Sequence, residues 1–156
     1  MWHPFSLSPP CPLPLNPSSF SPASLLQVLD PITLPCNGTA PTLGYTWNSS
    51  TCDDATTYAW LDVAIAAAKA QIGAANFSSY HHVALVLPPH MSEWGGADCT
   101  WTGFGQIGPT EVGPSGEYMY GAMWIAGEFW NSLPTWLHET GHNLYLGHAG
   151  KVRGWT

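Results

Sequence analysis

Three histidines fall within eleven residues near the end of this chain, in the run His138-Glu-Thr-Gly-His-Asn-Leu-Tyr-Leu-Gly-His148. His138 and His142 are four residues apart, so on a helix their imidazoles stand one turn above the other on a single face. That spacing lets both rings reach one ion at about 2.0–2.1 Å, as zinc requires. Glu139 then projects beside the ion, where it can take a proton from a bound water. His148 lies six residues beyond His142, and a straight helix would carry it away, so the chain must turn soon after His142 for His148 to be the third ligand. Three neutral imidazoles leave a fourth position open to water, which is the catalytic arrangement rather than the structural one. At this chain's own His and Glu frequencies, the four fixed positions arise by chance about 0.0005 times per chain.

The surrounding pattern supplies the helix. Ser132 is placed to cap it, Pro134 falls in the first turn, and the helix is expected to run to about Leu144, anchored by Trp136, Leu137 and Leu144. An earlier helix is expected from Asp53, Asp54, Thr56 and Thr57, which offer capping oxygens, to Gly73, with Leu61, Ile65, Ala68 and Ile72 on one apolar face. Leu25 to Leu34 reads as short strand pieces bounded by Pro31 and Pro35. Val83-Ala-Leu-Val-Leu87 is apolar on both faces and stops at Pro88, the pattern of a strand near the middle of a sheet. The glycine-rich stretch 95–117 is expected to be loops around a short strand at Phe104 to Ile107, and Tyr118 to Ala126 a further strand. Strands and helices in this order predict a small α/β domain. Residues 1–24, rich in Pro and Ser, read as a tail or linker. Residues 25–156 read as the folded domain. Met1 to Phe20 has no basic region and is broken by prolines, so it is not a signal peptide, and the expectation is a start further upstream or a fragment.

Charge excludes several partners. Only 8 % of the 156 residues are charged, and three basic residues face ten acids. Without a basic patch the chain cannot neutralise several phosphates, which disfavours nucleic acid, and anionic membranes for the same reason. No apolar run reaches the length of a membrane span. Cys11, Cys36, Cys52 and Cys99 show no CxxC pairing and are disulfide candidates, with a Cys36–Cys52 bridge plausible across the loop between them. Asn37-Gly-Thr39, Asn48-Ser-Ser50 and Asn76-Phe-Ser78 match the glycan acceptor pattern. Sequons, cysteines and few lysines together favour an extracellular setting.

The zinc motif resembles the elongated motif of metzincin endopeptidases. The text around it is similar to the gametolysin-like metalloproteases, which digest plant-type cell walls in green algae. The matching pieces are Pro31-Ile-Thr-Leu-Pro-Cys36, Tyr80-His-His-Val-Ala-Leu-Val-Leu-Pro88, Cys99-Thr-Trp-Thr-Gly-Phe-Gly-Gln-Ile-Gly108, Trp124-Ile-Ala-Gly127, Leu137-His-Glu-Thr-Gly-His-Asn-Leu144 and Gly147-His-Ala-Gly150. The resemblance implies the upper subdomain of a metzincin: a small mixed twisted sheet, a backing helix and a zinc-binding active-site helix. It implies a zinc-dependent endopeptidase acting through a zinc-activated water on extracellular or cell-wall, Pro-rich glycoproteins. His138, His142 and His148 would be the Zn2+ ligands and Glu139 the general base. Some relatives carry Gln at the first ligand position, and His138 here implies zinc. By the same resemblance, the strand holding Trp124 would be the sheet edge to which an extended substrate adds, the alternative being an ordinary buried strand.

Two departures stand out. Metzincins usually have Gly three residues after the second His, and here that position is Tyr145; a non-Gly residue at positive φ costs on the order of 1 kcal/mol. Gly147 offers a turn two residues later instead. Metzincins also carry a Met-containing turn downstream of the zinc motif, whereas Met1, Met91, Met119 and Met123 all precede it, so the domain is expected to lack that region. His81 and His82 read as hydrogen-bonded residues opening a strand, His90 as solvated, and Cys11 as a tail disulfide or free thiol rather than a thiolate blocking zinc. Two other readings stay open: a non-catalytic zinc-binding fragment and a structural cell-wall glycoprotein.

Overall fold

The computed structural model describes residues 29–112 and 118–148. It is a mixed α/β structure in two compact units. The first contains the described residues up to 77 together with 88–100. The second contains 78–87, 101–112 and 118–148.

In the first unit, β1 (Asn37–Thr39) and β2 (Thr46–Asn48) form an antiparallel hairpin. Trp47 is its buried side chain; the ring lies over Gly38, where no Cβ obstructs it, and its indole N–H donates to the Pro35 carbonyl at 3.1 Å. Helix α1 (Asp54–Ile72) begins and ends where its capping residues predict. The Asp53 carboxylate accepts the Thr56 N–H at 2.8 Å, and the Gly73 N–H closes the last turn on the Lys69 carbonyl at 2.9 Å. Leu61, Ile65 and Ala68 are buried along one face. Asp62 accepts the N–H groups of Thr42 and Leu43 at 2.7 and 3.0 Å, tying the hairpin turn to α1. Two single-turn helices follow, α2 (Ala74–Phe77) and α3 (Met91–Trp94).

Two expectations for this unit are corrected. Asp30 to Leu34 is not a strand: prolines at 31 and 35 remove ladder donors, and the segment runs as irregular chain. The expected Cys36–Cys52 bridge is not formed. Cys52 pairs with Cys99, and Cys36 is bonded in another disulfide. The Ser49 N–H donates to the Cys36 carbonyl at 2.7 Å and the chain then turns, so Cys52 leaves the hairpin for the start of α1.

The second unit is built on β3 (His82–Val86), β4 (Gly103–Gly105), β5 (Glu111–Val112), β6 (Tyr118–Ile125) and α4 (Leu133–Asn143). The sheet order is β3-β6-β4, with β5 also on β6; β6 runs parallel to β3 and antiparallel to the others. Trp124 and Ile125, on opposite faces of β6, are both fully buried. Phe104 stands opposite Trp124 in the register, with ring centroids 5.2 Å apart. Among the described strands, the apolar run that predicts a central strand is therefore an outer one. β3 pairs with β6 alone among the described strands, and Ala84 and Val86 on one of its faces are exposed. The central strand is the one holding Trp124, so it cannot be an edge for a substrate: β3 occupies one side of it, and β4 and β5 the other.

The Asp53 carboxyl is held below the usual carboxylate range by the N–H and hydroxyl of Thr56. A depressed folded-state value means that the cap is complete above about pH 4 and is lost as pH falls through the lowered value. Asp53→Ala is expected to cost about 1 kcal/mol at neutral pH, with the gap to the parent chain closing in acid. Denaturant unfolding of both proteins across that range checks it.

Candidate metal centre

Helix α4 is capped by Ser132, whose hydroxyl accepts the Thr135 N–H at 3.4 Å, with Pro134 in the first turn. It packs against β4 and β6, and the face it turns inward is polar. Glu139, His142 and Asn143 are 4, 8 and 0 % exposed, while Leu133, Leu137 and Leu144 are 66, 65 and 59 % exposed. The expected anchoring by Leu137 and Leu144 is therefore not what holds the helix. Trp136 contributes a 2.7 Å hydrogen bond from its indole N–H to the Trp130 carbonyl, and the three polar residues contribute the partners described next.

Each of them has a built seat. Glu139 lies over β4 where two alternate residues of one strand face are glycines. A Cβ on Gly103 would fall 2.7 Å from Glu139 Oε1, and one on Gly105 would fall 2.6 Å from the Glu139 carbonyl oxygen. Burial raises the Glu139 carboxyl above its usual range, while the imidazoles of His138, His142 and His148 and the Gly105 N–H draw it back. The Asn143 carboxamide donates to the carbonyls of Gln106 and Ala122, both at 2.9 Å, and its oxygen lies 3.2 Å from His82 Nδ1. His142 Nδ1 lies 2.6 Å from the Leu146 carbonyl. A carbonyl can only accept, so in the neutral ring Nδ1 carries the proton and Nε2 presents a lone pair.

The chain then turns at Tyr145, whose φ is 65°. The turn occurs at the position where glycine is usual and not two residues later at Gly147. Leu146 N–H returns to the Gly141 carbonyl at 3.0 Å and Tyr145 N–H to the His142 carbonyl at 2.9 Å, which swings His148 back over the helix. The Nε2 atoms of His138, His142 and His148 consequently face one point, at separations of 2.9, 3.1 and 3.2 Å. Tetrahedral zinc at about 2.0–2.1 Å from each nitrogen needs them about 3.3–3.4 Å apart. The donor set fits that ion in number, chemistry and separation to within a few tenths of an ångström. His138 and His148 are exposed and His142 is buried, so the point is reached from solvent. The same rings, with Leu137, Gly141, Leu146 and Gly147, line a cavity of about 280 Å³.

Among the described residues, the group able to hold a metal is this triad. His82 opens β3 on the Asn143 carboxamide oxygen, and the exposed His90 faces Glu93 at 3.5 Å; Cys11 lies outside the described residues. Sequence reasoning passed over Gly103, Gly105 and Asn143. The alternation Gly103-Phe-Gly105 is itself a signal of close approach by another backbone, whereas nothing local marks Asn143. A family model described as Gametolysin peptidase M11 matches residues 16–155. No curated protein and no solved structure matches the chain.

Gly103→Ala places a methyl against the Glu139 carboxylate and is expected to destabilise the chain by about 1–3 kcal/mol. Added to Glu139→Ala, which removes the obstructed atoms, the same change is expected to cost much less. Thermal unfolding of the two single variants and the double variant measures the difference.

Proposed function

We propose, for a chain that belongs to the gametolysin peptidase family, zinc-dependent endopeptidase activity in which His138, His142 and His148 hold the metal and Glu139 is the general base. The observation that carries this reading is the convergence of three imidazole nitrogens on one solvent-reached point beside a buried carboxylate. Zinc, when bound, acidifies a water and polarises the scissile carbonyl. Glu139 takes the water's proton and then delivers it to the leaving amine. Burial raises the Glu139 carboxyl above its usual range, the direction in which a carboxylate becomes a better proton acceptor. The glycine seat on β4 restricts its movement, and the Leu146 carbonyl keeps His142 in the tautomer that presents Nε2. An extended substrate that pairs with the sheet would add at an outer strand, and among the described strands β4 is the outer one against which α4 packs.

The substrates we infer are extracellular or cell-wall glycoproteins rich in proline, for a secreted enzyme. Three observations support that setting: Cys36, Cys52 and Cys99 are all disulfide-bonded, the chain has few basic residues, and Asn37, Asn48 and Asn76, the three glycan acceptor positions, are all exposed.

Purified protein should contain one zinc per chain and cleave a Pro-rich glycoprotein in a chelator-sensitive manner. Glu139→Ala should keep its zinc and lose cleavage, while His142→Ala should lose both. Zinc without cleavage in the parent chain would support a non-catalytic zinc-binding role, and absence of zinc a structural glycoprotein. Because imidazole binds metal only when neutral, bound zinc is also expected to leave below about pH 6. Zinc content that stays flat down to about pH 4 would count against histidine ligation.

A further inference from the structure

Tyr145 occupies a left-handed backbone position that disfavours a bulky residue, yet its ring is not left idle in solvent. Cε1, Cζ and Cδ1 of that ring lie 2.6, 2.9 and 3.2 Å from where a Cβ on Gly108 would stand, so the ring covers the bare Cα of Gly108. Gly108 is itself at positive φ, 80°. Its N–H donates to the His142 carbonyl at 2.9 Å, the same oxygen that receives the Tyr145 N–H at 2.9 Å. Two separate chain segments thus meet on the carbonyl of the second histidine, and the ring of one lies on the missing side chain of the other. The next residue, Leu146, supplies the carbonyl that sets the His142 tautomer, and His148 follows two positions later.

We propose that Tyr145 and Gly108 form a latch that holds the turn closed and so positions His148 and the Leu146 carbonyl around the metal. Both are positioning residues, since the group that converges on the metal point is the three imidazoles and neither residue belongs to it. The ring contact offsets the backbone cost of a non-glycine residue at Tyr145 and replaces the freedom that glycine would give this turn with a fixed geometry. The latch rests on the zinc reading of the triad.

Competition against a chromophoric zinc chelator, on the full chain, measures its effect without reference to catalysis. Tyr145→Phe keeps the ring and should bind zinc within about twofold of the parent, whereas loss of an outer-sphere support weakens metal sites by about 10–100-fold. Tyr145→Gly is the deciding variant. It relieves the backbone but removes the ring, so the latch requires about tenfold weaker zinc binding and an altered visible spectrum of the cobalt-substituted protein. If Tyr145 merely fills a glycine position, Tyr145→Gly will bind zinc as tightly as the parent or more tightly, and the latch is overturned. Tyr145 is 67 % exposed, so these variants should keep the parent's circular dichroism. Gly108→Ala, which intrudes on the ring and strains a backbone at φ 80°, should weaken zinc as well. A parent chain that binds no zinc overturns the triad reading itself, whereas a parent that binds it alongside an equally tight Tyr145→Gly overturns the latch alone.

Discussion

The polar face of α4 is the constraint on which the second unit is built. A helix that buries a carboxylate, an imidazole and a carboxamide, and leaves three leucines in solvent, gains little from apolar burial along that face. Desolvating such groups costs several kcal/mol unless each finds a partner. The sheet and its loops supply those partners atom by atom: the Gly105 N–H for Glu139, the Gln106 and Ala122 carbonyls and the His82 ring for Asn143, the Leu146 carbonyl for His142. Because they come from β3, β4, β6 and the turn beyond α4, the order of the strands and the placing of the helix are decided together. Two glycines on one face of β4 let the helix approach closely enough for this to work.

The turn after α4 converts that placement into a donor set. Two imidazoles four residues apart would lie on one helix face in any helix, but the third depends on a backbone reversal at Tyr145. The reversal is stabilised by hydrogen bonds back to Gly141 and His142 and by the ring resting on Gly108. It serves two ends, since the carbonyl it delivers at Leu146 sets the protonation pattern of His142 while His148 arrives opposite. The geometry of the triad and the tautomer of its middle imidazole therefore share one local structure.

Features governed by near neighbours in the chain were legible in advance. Asp53 and Gly73 bracket α1, and Ser132 and Leu144 bracket α4, because capping depends on backbone groups within a turn of the capping residue. The convergence of His138 and His142 was legible for the same reason. Misreadings arose where a distant partner decides. Val83 to Leu87 has the composition of a central strand, but which neighbours flank a strand depends on pairings across long stretches of chain, and here β6 takes the middle. Cys52 pairs across 47 residues of sequence with Cys99 and not with the nearer Cys36. Leu137 and Leu144 looked like anchors because an apolar residue on a helix is ordinarily buried, and here the sheet beneath α4 is furnished for polar atoms.

By itself the sequence determined the helix that carries the triad, the identity of its donor atoms and the need for a bend after His142, since those follow from helical period and imidazole chemistry within a short segment. Only the tertiary structure decided where the bend falls, how Glu139 is desolvated and which of the described strands lies at the sheet's edge. Each of these depends on atoms brought close by folding, such as Gly108 beneath Tyr145 or Gly103 and Gly105 beneath Glu139. A local pattern such as Gly103-Phe-Gly105 can mark one half of such a contact, but not the other half, more than thirty residues away in the chain.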